Sequence, residues 1–262
     1  MDLIDTHCHV SYPDFDHDRD AVLQRAAQAG VVQMVTVATD PTCWHRYLDL
    51  SEGRPQLRVA LGIHPNSAQL FTSDAFQTLK ELFAKHPDKT AAVGETGLDF
   101  FREHCAPDIQ RRAFQAQLDL AAELHLPFIL HCRKAEREML DMLAAQQAKL
   151  SNPLRGVWHC FSATSELMRE AAGLGLYFGF GGILTYAKAQ EVRDAAKATP
   201  AEKLLLETDA PYLPPQPWRG QRNEPAYVAE TARRLAEVRG VSVEDIARLT
   251  TENARRLFGL AN

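Results

Sequence analysis

DTHCHV, residues 5–10, sets a cysteine between two histidines. The histidine-cysteine pairing returns at His131-Cys132 in FILHCRKA (128–135) and at His159-Cys160 in GVWHCFSA (156–163). Each pairing follows a short β-rich run. Side chains alternate across a strand, so His7 and His9 point to one face and Cys8 to the other. The same parity sets Cys132 opposite His131 and Cys160 opposite His159. It directs the three thiols toward a helix layer, as small buried groups, and leaves imidazole and carboxylate as the candidate ligands.

Working outward, about eight such runs recur along the chain: 3–6, 32–38, 58–63, 91–94, 128–130, 156–158, 176–181 and 204–208. Between most of them lie segments with apolar residues at helical spacing, such as RDAVLQRAAQAG (19–30), for which Gly30 is the expected C-cap, and DIQRRAFQAQLDLAAELH (108–125). Strand-helix alternation predicts a parallel sheet covered by helices. Eight units in roughly 250 residues is the size of a (β/α)8 TIM-type barrel, with an open doubly wound sheet as the structural alternative. PAYVAETARRLAEVRG (225–240) and SVEDIARLTTENARRLFG (242–259) supply further helices after the eighth run. No Gly/Ser linker or low-complexity tract divides the chain, so residues 1–262 read as one barrel domain.

Polar residues collect at the C-terminal ends of these runs: His7 and His9 at the first, Glu95 at the fourth, His131 at the fifth, His159 at the sixth and Asp209 at the eighth. In a parallel barrel those ends share one face, where barrel enzymes place their catalytic groups. His17, His86, His104 and His125 lack that address and read as ordinary histidines. On this reading His7, His9 and Asp209 hold one divalent ion, His131 and His159 a second, and Glu95 bridges them. Two ions about 3.5–4 Å apart activate a water and neutralise charge on an oxyanion or phosphoryl group. Mixed nitrogen and oxygen donors suit Zn²⁺ or Mn²⁺ and do not exclude Mg²⁺. Asp209 can also take the proton of the attacking water. Asp5 and Glu207, one layer deeper, can orient a ligand imidazole or form a buried ion pair.

The composition is that of a globular chain, 45% hydrophobic and 24% charged, and no window is apolar enough to span a membrane. A net charge of -5 gives no general basic footprint for nucleic acid. Five cysteines, and a start at Met1 without the basic and apolar regions of a secretory signal, lead to the expectation of free thiols and a cytoplasmic protein. GFGGI (179–183) lacks both the dinucleotide and the P-loop pattern and reads as close backbone packing.

DTHCH (5–9), LGIHP (61–65), AVGETGLD (92–99), HCR (131–133), HCF (159–161) and LLLETDAPYL (204–213), followed by RGQRNEP (219–225), together resemble the TatD family of metal-dependent hydrolases. The resemblance runs through essentially the whole chain. It implies a metal-dependent (β/α)8 fold and hydrolysis of phosphodiester bonds in DNA, commonly as a 3′ to 5′ exonuclease acting on single strands or 3′ ends. It also implies the ligands His7, His9, Glu95, His131, His159 and Asp209. Two positions depart from the family: Lys134 where an acidic residue often follows HxR, and Ala163 where glycine often follows the serine.

Around the ligands, His64, Arg133, Arg219 and Arg222 are candidate phosphate contacts, Glu95 and Asp209 the catalytic carboxylates. Two other functions share these residues: ester or amide hydrolysis, as in the D-aminoacyl-tRNA deacylase activity attributed to some TatD-like proteins, and a metal-stabilised binding module. Nothing in the sequence announces a protein partner.

Overall fold

The computed structural model describes residues 1–102 and 104–261. Eight strands run in sequence order around one parallel sheet: β1 (Leu3–Cys8), β2 (Val31–Ala38), β3 (Leu57–Leu61), β4 (Thr90–Asp99), β5 (Phe128–Arg133), β6 (Gly156–Trp158), β7 (Tyr177–Phe180) and β8 (Leu204–Leu206). Beyond β8 the chain continues beside β1, where Asp209 N donates to His7 O at 2.8 Å and His9 N to Ala210 O at 2.7 Å. These bonds join the last strand to the first, giving the (β/α)8 barrel and ruling out the open sheet.

Nine α-helices lie among the described residues: α1 (Arg19–Gln28), α2 (Trp44–Ser51), α3 (Ser73–Lys85), α4 (Pro107–Glu123), α5 (Glu136–Gln147), α6 (Ser165–Gly173), α7 (Gln190–Ala198), α8 (Val228–Arg239) and α9 (Val243–Phe258). Ala29 caps α1, one residue before the expected Gly30, which follows it in the left-handed region (φ 89°). The sequence reading places no helix at α2, which is only eight residues long and has no side-chain cap bond at its N-terminus.

The apolar residues divide by strand parity. Ile4, Val35, Ala60, Ala92, Ile129, Val157, Tyr177 and Leu205, one from each strand, pack with Ala254, Leu257 and Phe258 of α9. This is the barrel interior, plugged from below by the last helix. Their neighbours along the strands, including Leu3, Met34, Leu130, Trp158 and Leu206, pack outward with the helices. Burial of both faces explains why the strands read as continuous apolar runs.

Alternation breaks in β1. Leu3 faces outward and Ile4 inward, so strict alternation would turn His7 outward; the register with β2 slips between Asp5 and Cys8. The slip places Cys8 among the outer core residues, as expected, and separates Asp5 from the face that His7 occupies. Asp5 therefore orients no imidazole. Its carboxyl accepts from His7 N, Thr208 N and Thr208 Oγ1, at 3.2, 3.0 and 2.6 Å, and ties β1 to the segment carrying Asp209.

Candidate metal centre

The fourth strand is longer than its sequence suggests. The run 91–94 is expected to end at Glu95, whereas β4 continues to Asp99 and Glu95 lies within it. Gly94 and Gly97 sit inside an irregular strand whose pairing with β5 shifts between Val93 and Thr96. At Gly97 (φ 135°) a Cβ would stand 2.0 Å from His131 O, so only glycine allows this approach of β4 to β5.

Glu95 is buried at the centre of a ring of imidazoles. Its Oε1 lies 2.9 Å from His159 Nε2, 3.1 Å from His131 Nδ1 and 3.5 Å from His64 Nε2, while Oε2 lies 3.5 Å from His7 Nε2. One oxygen thus faces three imidazoles and the other faces His7. Asp209 Oδ1 lies 3.4 Å from His9 Nε2 and 3.7 Å from His7 Nε2. The rings of His7 and His159 stack, centroids 3.9 Å apart. All six donors read from the sequence converge in space.

Hydrogen bonds fix which ring atoms face inward. His9 Nδ1 donates to Val37 O at 2.7 Å, leaving the Nε2 lone pair free. His64 is the reverse case: its Nδ1 accepts from Asn66 N at 3.0 Å, so the proton sits on Nε2. Burial, against the pull of Glu95, pushes the His64 ring down to about 3, which keeps it neutral. His64 is therefore a hydrogen-bond donor facing the cavity, although its position alone would fit a ligand group with Glu95 and His131.

The charges are coupled. Burial raises the Glu95 carboxyl, but the surrounding His159, His64 and His131 hold it well below the usual glutamate range. Burial likewise works against the Asp209 carboxylate, and its bond to His9 with the nearby His159 and His7 lowers it overall. His159 moves the other way: burial disfavours its cation, while Glu95 and Glu207 raise it well above the ordinary imidazole value.

Groups of donors within 4.8 Å of one another include His7, His9 and Glu95, and His7, His159 and Asp209. Imidazole nitrogen and carboxylate oxygen in this number fit Zn²⁺ or Mn²⁺ well and accommodate Mg²⁺. His7 and His159 both turn Nε2 toward Glu95, and their Nδ1 atoms, on the far side of each ring, are buried without a hydrogen-bond partner among the described residues.

Thiols play no part in these groups, but one of the three, Cys160, does not lie where strand parity puts it. Cys132 packs on the outer core and also reaches the cavity, and Cys160 lines the cavity. Strand alternation ends before Cys160, whose backbone turns into the left-handed region (φ 48°). Burial raises both thiols, keeping them protonated and poor ligands.

Asp99 and Arg102 are absent from the sequence-derived set. Asp99 Oδ2 contacts His131 Nε2 at 3.0 Å, and its Oδ1 accepts from Phe101 N and Arg102 N. Glu207 Oε1 accepts from Cys160 N at 2.5 Å and lies 3.6 Å from His159 Nδ1. Gly179 makes room for it, since a Cβ there would stand 2.0 Å from Glu207 Oε2, so the glycines of 179–183 serve close packing.

A cavity of about 600 Å³ opens above the cluster, its rim including His64, Arg102, Arg133, Ser162 and Tyr212. Arg219 and Arg222 are not part of it. Arg222 forms a forked pair with Asp18, at 2.9 and 2.6 Å, and lies over the Phe15 ring. Arg219 is exposed, with its guanidinium 4.2 Å over Tyr186. Lys134 takes a left-handed conformation (φ 58°) just past β5.

A family model described as TatD related DNase matches residues 4–259. The uncharacterized metal-dependent hydrolase YabD of Bacillus subtilis is 37% identical over 256 residues, 98% of each chain. The 3'-5' ssDNA/RNA exonuclease TatD of Erwinia tasmaniensis is 37% identical over 264 residues, covering 98% of this chain and 100% of its own. The crystal structure of YjjV, a TatD homologue from Escherichia coli, superposes with a TM-score of 0.92 at 35% identity, over 99% of this chain and 98% of its own.

Proposed function

The chain belongs to the TatD related DNase family of metal-dependent hydrolases, and from that premise we propose that it is a 3′ to 5′ exonuclease removing nucleotides from single-stranded DNA. The observation that carries this reading is Glu95, one oxygen facing His159 and His131 and the other His7, on the floor of a cavity rimmed by cationic donors. His7, His9 and Asp209 would hold one divalent ion and His131 and His159 a second, with Glu95 shared between them. Such ions, Mg²⁺, Mn²⁺ or Zn²⁺, supply Lewis acidity toward a phosphoryl oxygen and acidify water.

The remaining steps belong to the protein's own side chains. Asp209, held ionised and open to the cavity, accepts at its carboxylate the proton of the attacking water and returns it to the leaving 3′ oxygen. His64 Nε2–H donates to a non-bridging phosphate oxygen, and Arg133 and Arg102 offer forked donors at the rim. These groups fix the phosphate without reading sequence.

The test compares metal-loaded protein on end-labelled single-stranded DNA, the same DNA with a blocked 3′ end, and a D-aminoacyl-tRNA. Mononucleotides released from the free 3′ end, and none from the blocked end, are expected. Deacylation of the tRNA with both DNAs left intact would overturn the proposal in favour of ester hydrolysis.

A further inference from the structure

Phe101 and Tyr212 are the only exposed aromatic side chains among the described residues, at 55% and 52% exposure. Both stand at the mouth of the barrel, in loops that follow β4 and β8. Those strands are four places apart in a ring of eight, so the two loops rise from opposite sides of the cavity. Exposing a phenyl and a phenol ring to water is unfavourable unless something covers them.

Both backbones are tied to the centre. Phe101 N donates to Asp99 Oδ1 at 3.0 Å, and Phe100 N to Arg133 O at 2.9 Å. Tyr212 N donates to Asp209 O at 2.8 Å, and Asn223 Nδ2 to Tyr212 O at 2.6 Å. The Arg133 guanidinium lies 3.9 Å over one face of Phe101, and Arg133 lines the cavity. Tyr212 lines it too, its ring edge-on to His9 and Tyr12. Two π surfaces, one backed by a cation, therefore flank the groups that receive a phosphate.

Resting on the exonuclease reading, we propose that Phe101 with Arg133, and Tyr212, are stacking platforms for the unpaired bases on the two sides of the scissile phosphate. Bases in a duplex are stacked on their neighbours and offer no free face. Stacking on protein aromatics suits every base, so the platforms select single strands without selecting sequence. They also give the site a reason to prefer a nucleotide chain over other phosphodiesters.

The experiment measures binding to two oligonucleotides of equal length, one of thymidines and one whose last two 3′ positions are abasic, using metal-loaded protein in an Asp209→Asn background. The two carry the same number of phosphates, so counterion release contributes equally. The base-bearing strand should bind at least fivefold more tightly, a modest value for aromatic stacking. Phe101→Ala and Tyr212→Ala should each remove part of that difference, and the double variant most of it, while leaving abasic binding unchanged, and Phe101→Tyr and Tyr212→Phe should restore it.

Equal binding of the two strands, or loss of affinity for both in the alanine variants, would overturn the platforms. Cleavage of single-stranded DNA by the protein without these substitutions is measured alongside. Cleavage with no base dependence removes the platforms alone, whereas no cleavage and no binding removes the exonuclease reading with them.

Discussion

His131 is held from both sides: Asp99 Oδ2 lies 3.0 Å from its Nε2 while Glu95 Oε1 lies 3.1 Å from its Nδ1. A proton on Nε2, donated to Asp99, leaves the Nδ1 lone pair toward the centre. Asp99 Oδ1 is already engaged by Phe101 N and Arg102 N. In Asp99→Asn the amide oxygen should stay with those donors and turn its NH2 toward His131, driving the ring proton onto Nδ1. Metal affinity at this position should fall roughly 10–100-fold, the usual effect of losing an outer partner. Chelator competition reads the affinity, and ¹⁵N NMR of the metal-free protein reads the tautomer. An unchanged tautomer would remove the orienting role.

Protonation gives a second test. Burial lowers His131, but Asp99 and Glu95 raise it overall, and Glu95 and Glu207 do the same for His159. Raised folded values contribute stability that is complete below the unfolded imidazole value of 6.5 and lost as pH climbs through the folded values. His7 and His64 are lowered, chiefly by burial, so they cost stability as pH falls below 6.5. Metal-free protein should accordingly melt at its highest temperature near that pH and lose stability on both sides. Metal binding requires neutral imidazole, so affinity should rise with pH above 6.5 and cancel the alkaline loss. Thermal scans with chelator and with excess Zn²⁺ or Mn²⁺ separate the two curves.

Arg222→Ala should destabilise the fold without touching the substrate. The pair with Asp18 is forked and partly buried, so a loss of about 1 kcal/mol in urea unfolding is expected, at the upper end for such pairs. The salt dependence of DNA binding should not change, in contrast to Arg133→Ala, which should flatten it by about 0.7 units for a single strand. A flatter slope for Arg222→Ala would return this arginine to the binding surface.

Gly97→Ala tests the irregular fourth strand. A methyl group there would meet the His131 carbonyl and occupy a backbone region hostile to side chains. Strain of this kind costs on the order of 1–3 kcal/mol before the collision is counted. Urea unfolding should show at least that loss, and the variant that still folds should bind metal weakly because β5 is displaced. Full stability would mean that the strand has another way to close.

Why the six donors are legible in the sequence, and Asp99 is not, has a physical basis. Each donor closes a short apolar run or lies just beyond it, and closure of the barrel turns that local address into proximity. Asp99 sits four residues past Glu95 behind a second glycine, and two glycines resemble a turn when they in fact allow an irregular strand to continue. Parity fails for Cys160 because alternation stops where the strand stops. Arg222 looked available because its partner Asp18 lies far away in sequence and is brought near only by the fold. The helix α2 escapes notice because eight residues with Cys43 at the start offer neither length nor a capping signal.

The bond from Asp209 N to His7 O joins the first strand to the end of the last. During synthesis at roughly 5–20 residues per second, about ten to forty seconds pass between the appearance of these two residues. From residue 159 onward the nascent chain carries all its imidazoles but not the carboxylate on which the proposed chemistry depends. On the proposed chemistry, a translation product cut short before residue 209 lacks its general base, however well its earlier strands pair. The joint thus ties the proposed activity to synthesis of at least the first 209 residues.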